Sequence, residues 1–561
     1  MGDQASGQGR LRMNVGGMTC AHCEVSVSQA LESAGALEAG ADFRRGEASF
    51  ELGANADAQK LRQAVQGAGY EPGNVEEIQS GAREPGRLGV SEVGEEDTDY
   101  DLAIVGSGGG AFAAAIRAVE AGARVAMIER GAIGGTCVNI GCVPSKTLLR
   151  AAETRHRAAE NPFAGLETEA GEVDYGSLVS QKDELVADLQ KEKYADLVEE
   201  YGWDLIRGEA RFEDEKTLRV GDRTITAGSY LIATGARPAV PDVAGIEEAG
   251  YLTSTTNMEQ DSLPESVLVI GAGYVAIEQG QLLSRLGVKV TLMQRGKRLL
   301  ADQEPEVSEA ATEALEREGI EVLTGVRVER AENAKDGKRL YLTVDGEERV
   351  LEGTEILVAA GRNPNTEELD LAKAGVELDE RGAVNIDNGL RTTNPRVWAA
   401  GDVTLGPQYV YVAAKEGTLI VDNALSGQNR ELDFSALPGV IFSDPQVATV
   451  GLTEAKAREE GREVETSVLP LEAVPRALVN HDTLGVVKLV AEAGTRRLLG
   501  AHIVAENAGE VIYAATLAVR FGLSAEDLAE GFAPYLTMSE GLKLAAQTFG
   551  RDVSKLSCCA A

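Results

Sequence analysis

A chain of 561 residues is too long for a single hydrophobic core, and 43% hydrophobic content supports several well-filled domains rather than disorder. No apolar stretch reaches the length of a membrane span, and residues 1–15 lack the apolar centre of a secretory leader, so a cytoplasmic protein is expected. The 90 acidic against 54 basic side chains give a formal charge of −36, a field that repels nucleic acid and anionic membrane surfaces and fits a saline cytoplasm.

In chain order, residues 9–79 read as a small separate module. Alternating apolar positions at 11–15, 48–52 and 75–78 predict strands, and helical spacing at 23–33 and 56–68 predicts helices. That order approximates the βαββαβ pattern of a ferredoxin-like fold. Where the first strand meets the first helix stands Gly17-Met18-Thr19-Cys20-Ala21-His22-Cys23, and a helix N-terminus lowers the pKa of a thiol. The motif resembles the heavy-metal-associated domain, which implies Cys20 and Cys23 as ligands for a soft cation, with Cu(I) and Hg(II) equally open. His22 reads as a loop residue rather than a ligand. Residues 80–98, rich in Gly, Glu and Arg without apolar periodicity, read as a flexible tether.

Two dinucleotide-binding units follow in tandem, which makes the fold class α/β. Gly106-Ser-Gly108-Gly-Gly-Ala111 comes straight after an apolar strand and opens a helix of small residues. Its glycines allow a tight turn and close approach of a pyrophosphate, and Ala111 allows close helix–strand packing. Gly271-Ala-Gly273-Tyr-Val-Ala276 repeats the arrangement. Counting 23 residues from each turn reaches Glu129 in the first unit and Gln294 in the second. A carboxylate accepts from a ribose hydroxyl and repels a 2′-phosphate, so the first unit suits the adenosine of FAD. The second has lost its acid and carries Arg295, Lys297 and Arg298, cations suited to NADPH. Thr234-Gly235 and Asp402 end two further strands, with Asp402 placed for the ribityl hydroxyls of a flavin. The helix start at 408–417, which includes Val410, favours negative charge on a reduced flavin. The expected boundaries are 99–250 and 386–435 for the FAD domain, 251–385 for the NADPH domain, and 436–561 for an α+β dimerisation domain.

The six cysteines fall into three close pairs, which in a cytosolic setting point to redox or metal chemistry. Gly134-Gly-Thr-Cys137-Val-Asn-Ile-Gly-Cys142-Val-Pro-Ser-Lys146 is the most specific of them. Over about residues 99–550 the chain resembles the class I pyridine nucleotide-disulfide oxidoreductases, the glutathione reductase and dihydrolipoamide dehydrogenase superfamily. The resemblance implies Cys142 as the thiolate beside the flavin, Cys137 as the outer thiol, and Lys146 paired with Glu278. It likewise places Gly131, Thr136 and Ala210 at the FAD site.

A disulfide substrate needs a base beside the dithiol. Family disulfide reductases carry a His-Pro-Thr-x-x-Glu pattern, where this chain has Pro534-Tyr535-Leu-Thr537-Met-Ser-Glu540. A tyrosine pKa of about 10 is too high for that task. The tail carries Cys558-Cys559 just before two final alanines, and adjacent Cα atoms about 3.8 Å apart strain a disulfide, so the pair reads as a clamp for a soft cation. Taken together, the three pairs resemble the mercuric reductase family over essentially the whole chain. That resemblance implies reduction of Hg(II), delivered as a thiolate complex, with Tyr194 and Tyr535 bordering the metal site. It also implies a homodimer whose active site is shared between subunits, and a relay from Cys20/Cys23 through Cys558/Cys559 to Cys137/Cys142. The rivals are a disulfide reductase with a fused metal module and a non-catalytic metal chaperone.

Overall fold

The computed structural model describes residues 11–18, 21–42, 46–52, 57–77 and 98–550. The chain divides into two compact units, Met1–Arg87 and Leu88–Ala561. Most of the tether expected at 80–98, together with Cys20, Cys558 and Cys559, lies outside the described residues.

The first unit has four strands, Leu11–Gly16, Ala36–Asp42, Glu47–Leu52 and Glu71–Glu77, with helices Ala21–Ser33 and Ala58–Gly67 between them. The sheet is antiparallel, in the order second, third, first, fourth, which is the ferredoxin-like arrangement. Met13, Val15 and Phe50 point to one buried face, where Val27, Leu31, Leu61 and Val65 of the helices cover them. Asp57 starts the second helix by accepting from the Lys60 amide at 2.8 Å.

In the second unit the strands Asp204–Arg207, Val125–Glu129, Tyr100–Val105, Arg223–Ile232 and Val397–Ala399 lie side by side and parallel in that order. The last of them returns from far down the chain, so this domain is built from two separate segments. A second parallel sheet runs Leu252–Thr253, Glu355–Val358, Ser266–Ile270, Lys289–Met293, Glu321–Leu323. Leu102–Val105 and Val267–Ile270 are buried in continuous runs, as parallel strands covered on both faces must be. In each sheet a glycine turn follows the carboxyl end of a strand, Gly106 after Tyr100–Val105 and Gly271 after Ser266–Ile270.

Residues from 438 form an antiparallel sheet, Pro438–Ile441, Gln446–Gly451, Leu498–Ala505, Val486–Glu492, Val464–Pro470, packed against helices Ala508–Phe521 and Glu540–Gln547. Lys488 of this sheet, only 2% exposed, reaches Glu304 at 2.9 Å, Glu306 at 3.0 Å and Glu454 at 3.2 Å. Glu304 and Glu306 belong to the second nucleotide domain, so a buried charge cluster fixes that domain against the last one. Breaking such a cluster on one side costs about 3–5 kcal/mol. No helix among the described residues is long and apolar enough to cross a membrane.

Candidate active site

The first turn follows strand Tyr100–Val105 and opens helix Gly109–Glu120. Gly106 has φ +109°, and a Cβ there would lie 2.3 Å from the Ala233 carbonyl oxygen, so only glycine fits. Beside it lies a cavity of about 500 Å³ lined by Gly106, Glu129, Arg130, Ala210, Thr234 and Arg237, among others. Glu129 accepts from the Ser107 hydroxyl at 2.6 Å and from the Gly131 amide at 2.6 Å. A carboxylate held this way keeps lone pairs for ribose hydroxyls. Thr234 is anchored by donating to the Asn365 carbonyl at 2.7 Å, and the Asn365 amide bonds the Gly235 carbonyl at 2.9 Å. Ala111 is fully buried. Helix Gly109–Glu120 packs backbone to backbone on helix Val410–Ser426, where a Cβ at Gly417 would meet the Gly110 carbonyl at 2.1 Å. Val410 is the first residue of that second helix. Asp402 stands on the adjoining turn Gly401–Thr404, 3.3 Å from Arg362, and burial pushes its carboxyl pKa up while Arg362 opposes the shift. These residues fit the adenosine, pyrophosphate and ribityl parts of FAD.

The second turn repeats the geometry with wider space. Gly271 has φ +119°, and its Cβ would meet the Ala359 carbonyl at 2.3 Å. A Cβ at Gly273 would meet nothing within 4 Å, so room for a pyrophosphate opens directly at the N-terminus of helix Tyr274–Arg285. A cavity of about 940 Å³ extends from there, bounded by Gly271, Gly273, Gln294, Arg295, Arg327 and Arg362 among others. It fits a dinucleotide. Arg298 is not among its lining residues. The Arg298 guanidinium donates to the Ser308 hydroxyl at 3.2 Å and to the Ala301 and Gln303 carbonyls, each at 2.8 Å.

The two cysteines expected to form the redox pair stand on two helices, Cys137 within Gly135–Asn139 and Cys142 at the first position of Cys142–Ala159. Both are thiols, Cys137 half-buried and Cys142 exposed. Thr136, beside Cys137, accepts the Ile140 amide at 3.0 Å. The pair is polarised. A hydrogen bond from Cys137 comes first in lowering the Cys142 pKa to about 7, with the Lys146 cation and the backbone amide adding to it. Cys137, as donor and in a drier place, is pushed well above the usual thiol range. Lys146 lies one helical turn beyond Cys142 and donates to Glu278 at 2.7 Å. Glu278, 7% exposed, sits on helix Tyr274–Arg285 and takes the Phe442 amide at 2.9 Å on its other oxygen. The Phe442 ring lies 4.7 Å from the lysine nitrogen. One carboxylate thereby ties the cysteine helix, the second nucleotide domain and the last domain together.

Tyr194 occupies a single π-helical turn, Lys191–Ala195, of the kind often found at functional sites. Its ring packs edge-on against Phe112 at 4.8 Å and over Gly134, where a Cβ would come within 3.3 Å of it. Burial raises its pKa, with the charges of Cys137 and Cys142 adding to the effect. Tyr535 is exposed on the last domain, and the Glu540 carboxylate accepts the Leu536 amide at 3.3 Å. In the first unit Cys23 is half-buried on helix Ala21–Ser33. Among the described histidine rings, His156 lies 4.0 Å from Glu318, His481 packs on Phe163 at 5.0 Å, and His502 bonds the Leu452 carbonyl at 3.1 Å.

Sequence reasoning missed Ser107, Arg327, Arg362 and Phe442. Ser107 lies within the glycine turn and was legible as a donor for Glu129. The other three join the site through contacts between distant segments and have no motif.

Residues 100–417 match the pyridine nucleotide-disulphide oxidoreductase family, 437–546 its dimerisation domain, and 12–71 the heavy-metal-associated domain. The chain belongs to the pyridine nucleotide-disulphide oxidoreductases. The mercuric reductase of Staphylococcus aureus is 55% identical over 553 residues, which is 99% of this chain and 100% of that protein. That of Streptomyces lividans is 52% identical over 472 residues, covering 82% of this chain and 99% of its own. Within its class, the chain is a member of the mercuric reductase family, whose cofactors are FAD and NADPH. Among solved structures, the HOCl-induced flavoprotein disulfide reductase RclA from Escherichia coli matches with a TM-score of 0.73 at 30% identity, over 80% of this chain and 100% of that one.

Proposed function

We propose that this protein reduces Hg(II), presented as a thiolate complex, to Hg(0) in the cytoplasm at the expense of NADPH, as a mercury detoxification enzyme. The observation that carries this reading is the polarised Cys137/Cys142 pair, set between two nucleotide cradles and beside Tyr194. Soft thiolates are the ligands Hg(II) prefers. The Cys142 thiolate, available near neutral pH, displaces one thiolate from the incoming complex, forming one Hg–S bond as another breaks. Cys137 gives its proton to the second departing thiolate as its own Hg–S bond forms. The ion is never released to water. Lys146, held by Glu278, keeps positive charge beside the thiolates throughout. FAD and NADPH, when bound, supply the two electrons that turn bound Hg(II) into Hg(0) and return both sulfurs as thiolates.

The wider relay belongs to the same proposal. Cys20/Cys23 capture the ion and Cys558/Cys559 hand it to the pair in the partner subunit, where Tyr535 borders the site. Support for a homodimer comes from the dimerisation domain and from Tyr513, Leu517 and Phe521. These form an exposed apolar stripe at four-residue spacing on helix Ala508–Phe521. The test is NADPH oxidation with Hg(II)-thiolate, oxidised glutathione and lipoamide compared side by side. Turnover confined to Hg(II) is expected; faster turnover of either disulfide would replace this reading with the disulfide-reductase one.

A further inference from the structure

The rim of the second cavity carries two arginines from distant parts of the chain. Gln294 ends the strand whose partner in the first unit ends in Glu129, and it offers no carboxylate. The Gln294 carbonyl accepts the Val326 amide at 3.0 Å, and the Gly296 carbonyl accepts the Gly325 amide at 2.9 Å. This lacing sets Arg295 and Arg327 at adjoining positions, and both line the cavity. Both side chains are exposed. Among the described residues neither has a hydrogen-bond or ion-pair partner, although acids outnumber bases 90 to 54. Neighbouring arginines are engaged: Arg330 pairs with Glu332, and Arg339 with Glu352 at 2.5 Å. Arg298 is spent on a hydroxyl and two carbonyls of its own loop.

A planar guanidinium recognises phosphate through paired, charge-assisted hydrogen bonds. Two of them left unneutralised at one rim, where the ribose-binding acid is missing, form a receptor for an additional dianion. We propose that Arg327, together with Arg295, binds the 2′-phosphate that distinguishes NADPH from NADH, and that Arg298 shapes the loop without touching the nucleotide. This rests on the reading of NADPH as reductant, and it adds a specificity residue that lies outside the glycine motif and its following strand.

The test needs no turnover. Binding of 2′,5′-ADP and of 5′-ADP to the full-length FAD-loaded protein is measured by calorimetry, for the parent and for Arg327→Gln. The parent should bind 2′,5′-ADP more tightly. Arg327→Gln should weaken 2′,5′-ADP by about tenfold, the scale of one charge-assisted contact. It should leave 5′-ADP unchanged, which also shows that the fold is intact, and flatten the salt dependence of 2′,5′-ADP binding. A parent that discriminates with an Arg327→Gln variant that discriminates equally well overturns the role of Arg327 alone. A parent that fails to discriminate overturns the NADPH reading along with it.

Discussion

Lys146 and Glu278, 132 residues apart in sequence, meet at 2.7 Å and join the cysteine helix to the second nucleotide domain. The pair fixes a cation one turn from Cys142, and it does so across a domain boundary. Lys146 lowers the Cys142 pKa, so removing it must move that pKa upward from about 7. In Lys146→Met, a difference titration of thiolate absorbance against a matched Cys142→Ala protein should show a higher midpoint than in the parent. An unchanged midpoint would mean that the cation does not act on the thiol. Thermal stability should fall as well, because the nearly buried Glu278 keeps only the Phe442 amide as partner.

The same shift sets the pH profile. A depressed thiol pKa keeps Cys142 anionic above about pH 7 and protonates it below. The rate of Hg(II) capture by the reduced enzyme should therefore rise through pH 7 and level off above it. Stopped-flow capture rates between pH 5 and pH 9 would show this; a rate that first rises near the ordinary thiol pKa of about 8.5 would contradict it.

Glycine at the second turn is required by both conformation and space. In Gly271→Ala the new methyl would sit 2.3 Å from the Ala359 carbonyl, at φ +119°. A loss of roughly 1–3 kcal/mol in stability is expected, with a large loss of NADP⁺ affinity. Calorimetric unfolding and nucleotide titration check both halves. Cys137→Ser, by contrast, should keep stability and nucleotide binding while lowering Hg(II) reduction by at least about a hundredfold.

The first unit is compact by itself, with its own core around Met13, Phe50 and Leu61. Removing residues 1–98 should leave reduction of small Hg(II)-thiolate complexes largely intact in the purified enzyme. The Streptomyces lividans relative matches 82% of this chain with 99% of its own length, in an alignment of 472 residues that is close to the size of the second unit alone. Loss of turnover on truncation would make the module part of the catalytic path. Replacing Cys558 and Cys559 together by Ala should slow turnover of bulky thiolate complexes most; parent-like kinetics would exclude the tail clamp.

A formal charge of −36 repels itself, and salt shortens that repulsion from a Debye length of about 10 Å at 0.1 M to about 3 Å at 1 M. The melting temperature should rise with sodium chloride over this range. A flat or falling curve would remove the idea of adaptation to a saline cytoplasm.

What was readable in the sequence is what short stretches of chain encode by themselves. Gly106 and Gly271 announce their turns because backbone sterics admit no other residue there. Glu129 follows at a fixed count because the strand–helix–strand unit has a nearly constant length. The strand Ala36–Asp42 gave no signal: its Ala-Leu-Glu-Ala-Gly-Ala-Asp sequence lacks β-branched residues, and pairing with Glu47–Leu52 supplies its order. Composition cannot show that three nearby acceptors already engage Arg298, an arrangement that exists only once its loop has folded. Phe442 and Arg327 reach the site only through folding, so no local pattern marks them.

In the proposed reaction, thiolates carry Hg(II) to a two-electron reductant. Simultaneous recording of NADPH absorbance and of evolved mercury vapour, after Hg(II)-thiolate is added to the FAD-loaded protein, tests it directly. One Hg(0) should leave for each NADPH consumed, with nothing evolved by Cys142→Ser. NADPH consumed without mercury vapour, or vapour from the Cys142→Ser protein, would contradict the account.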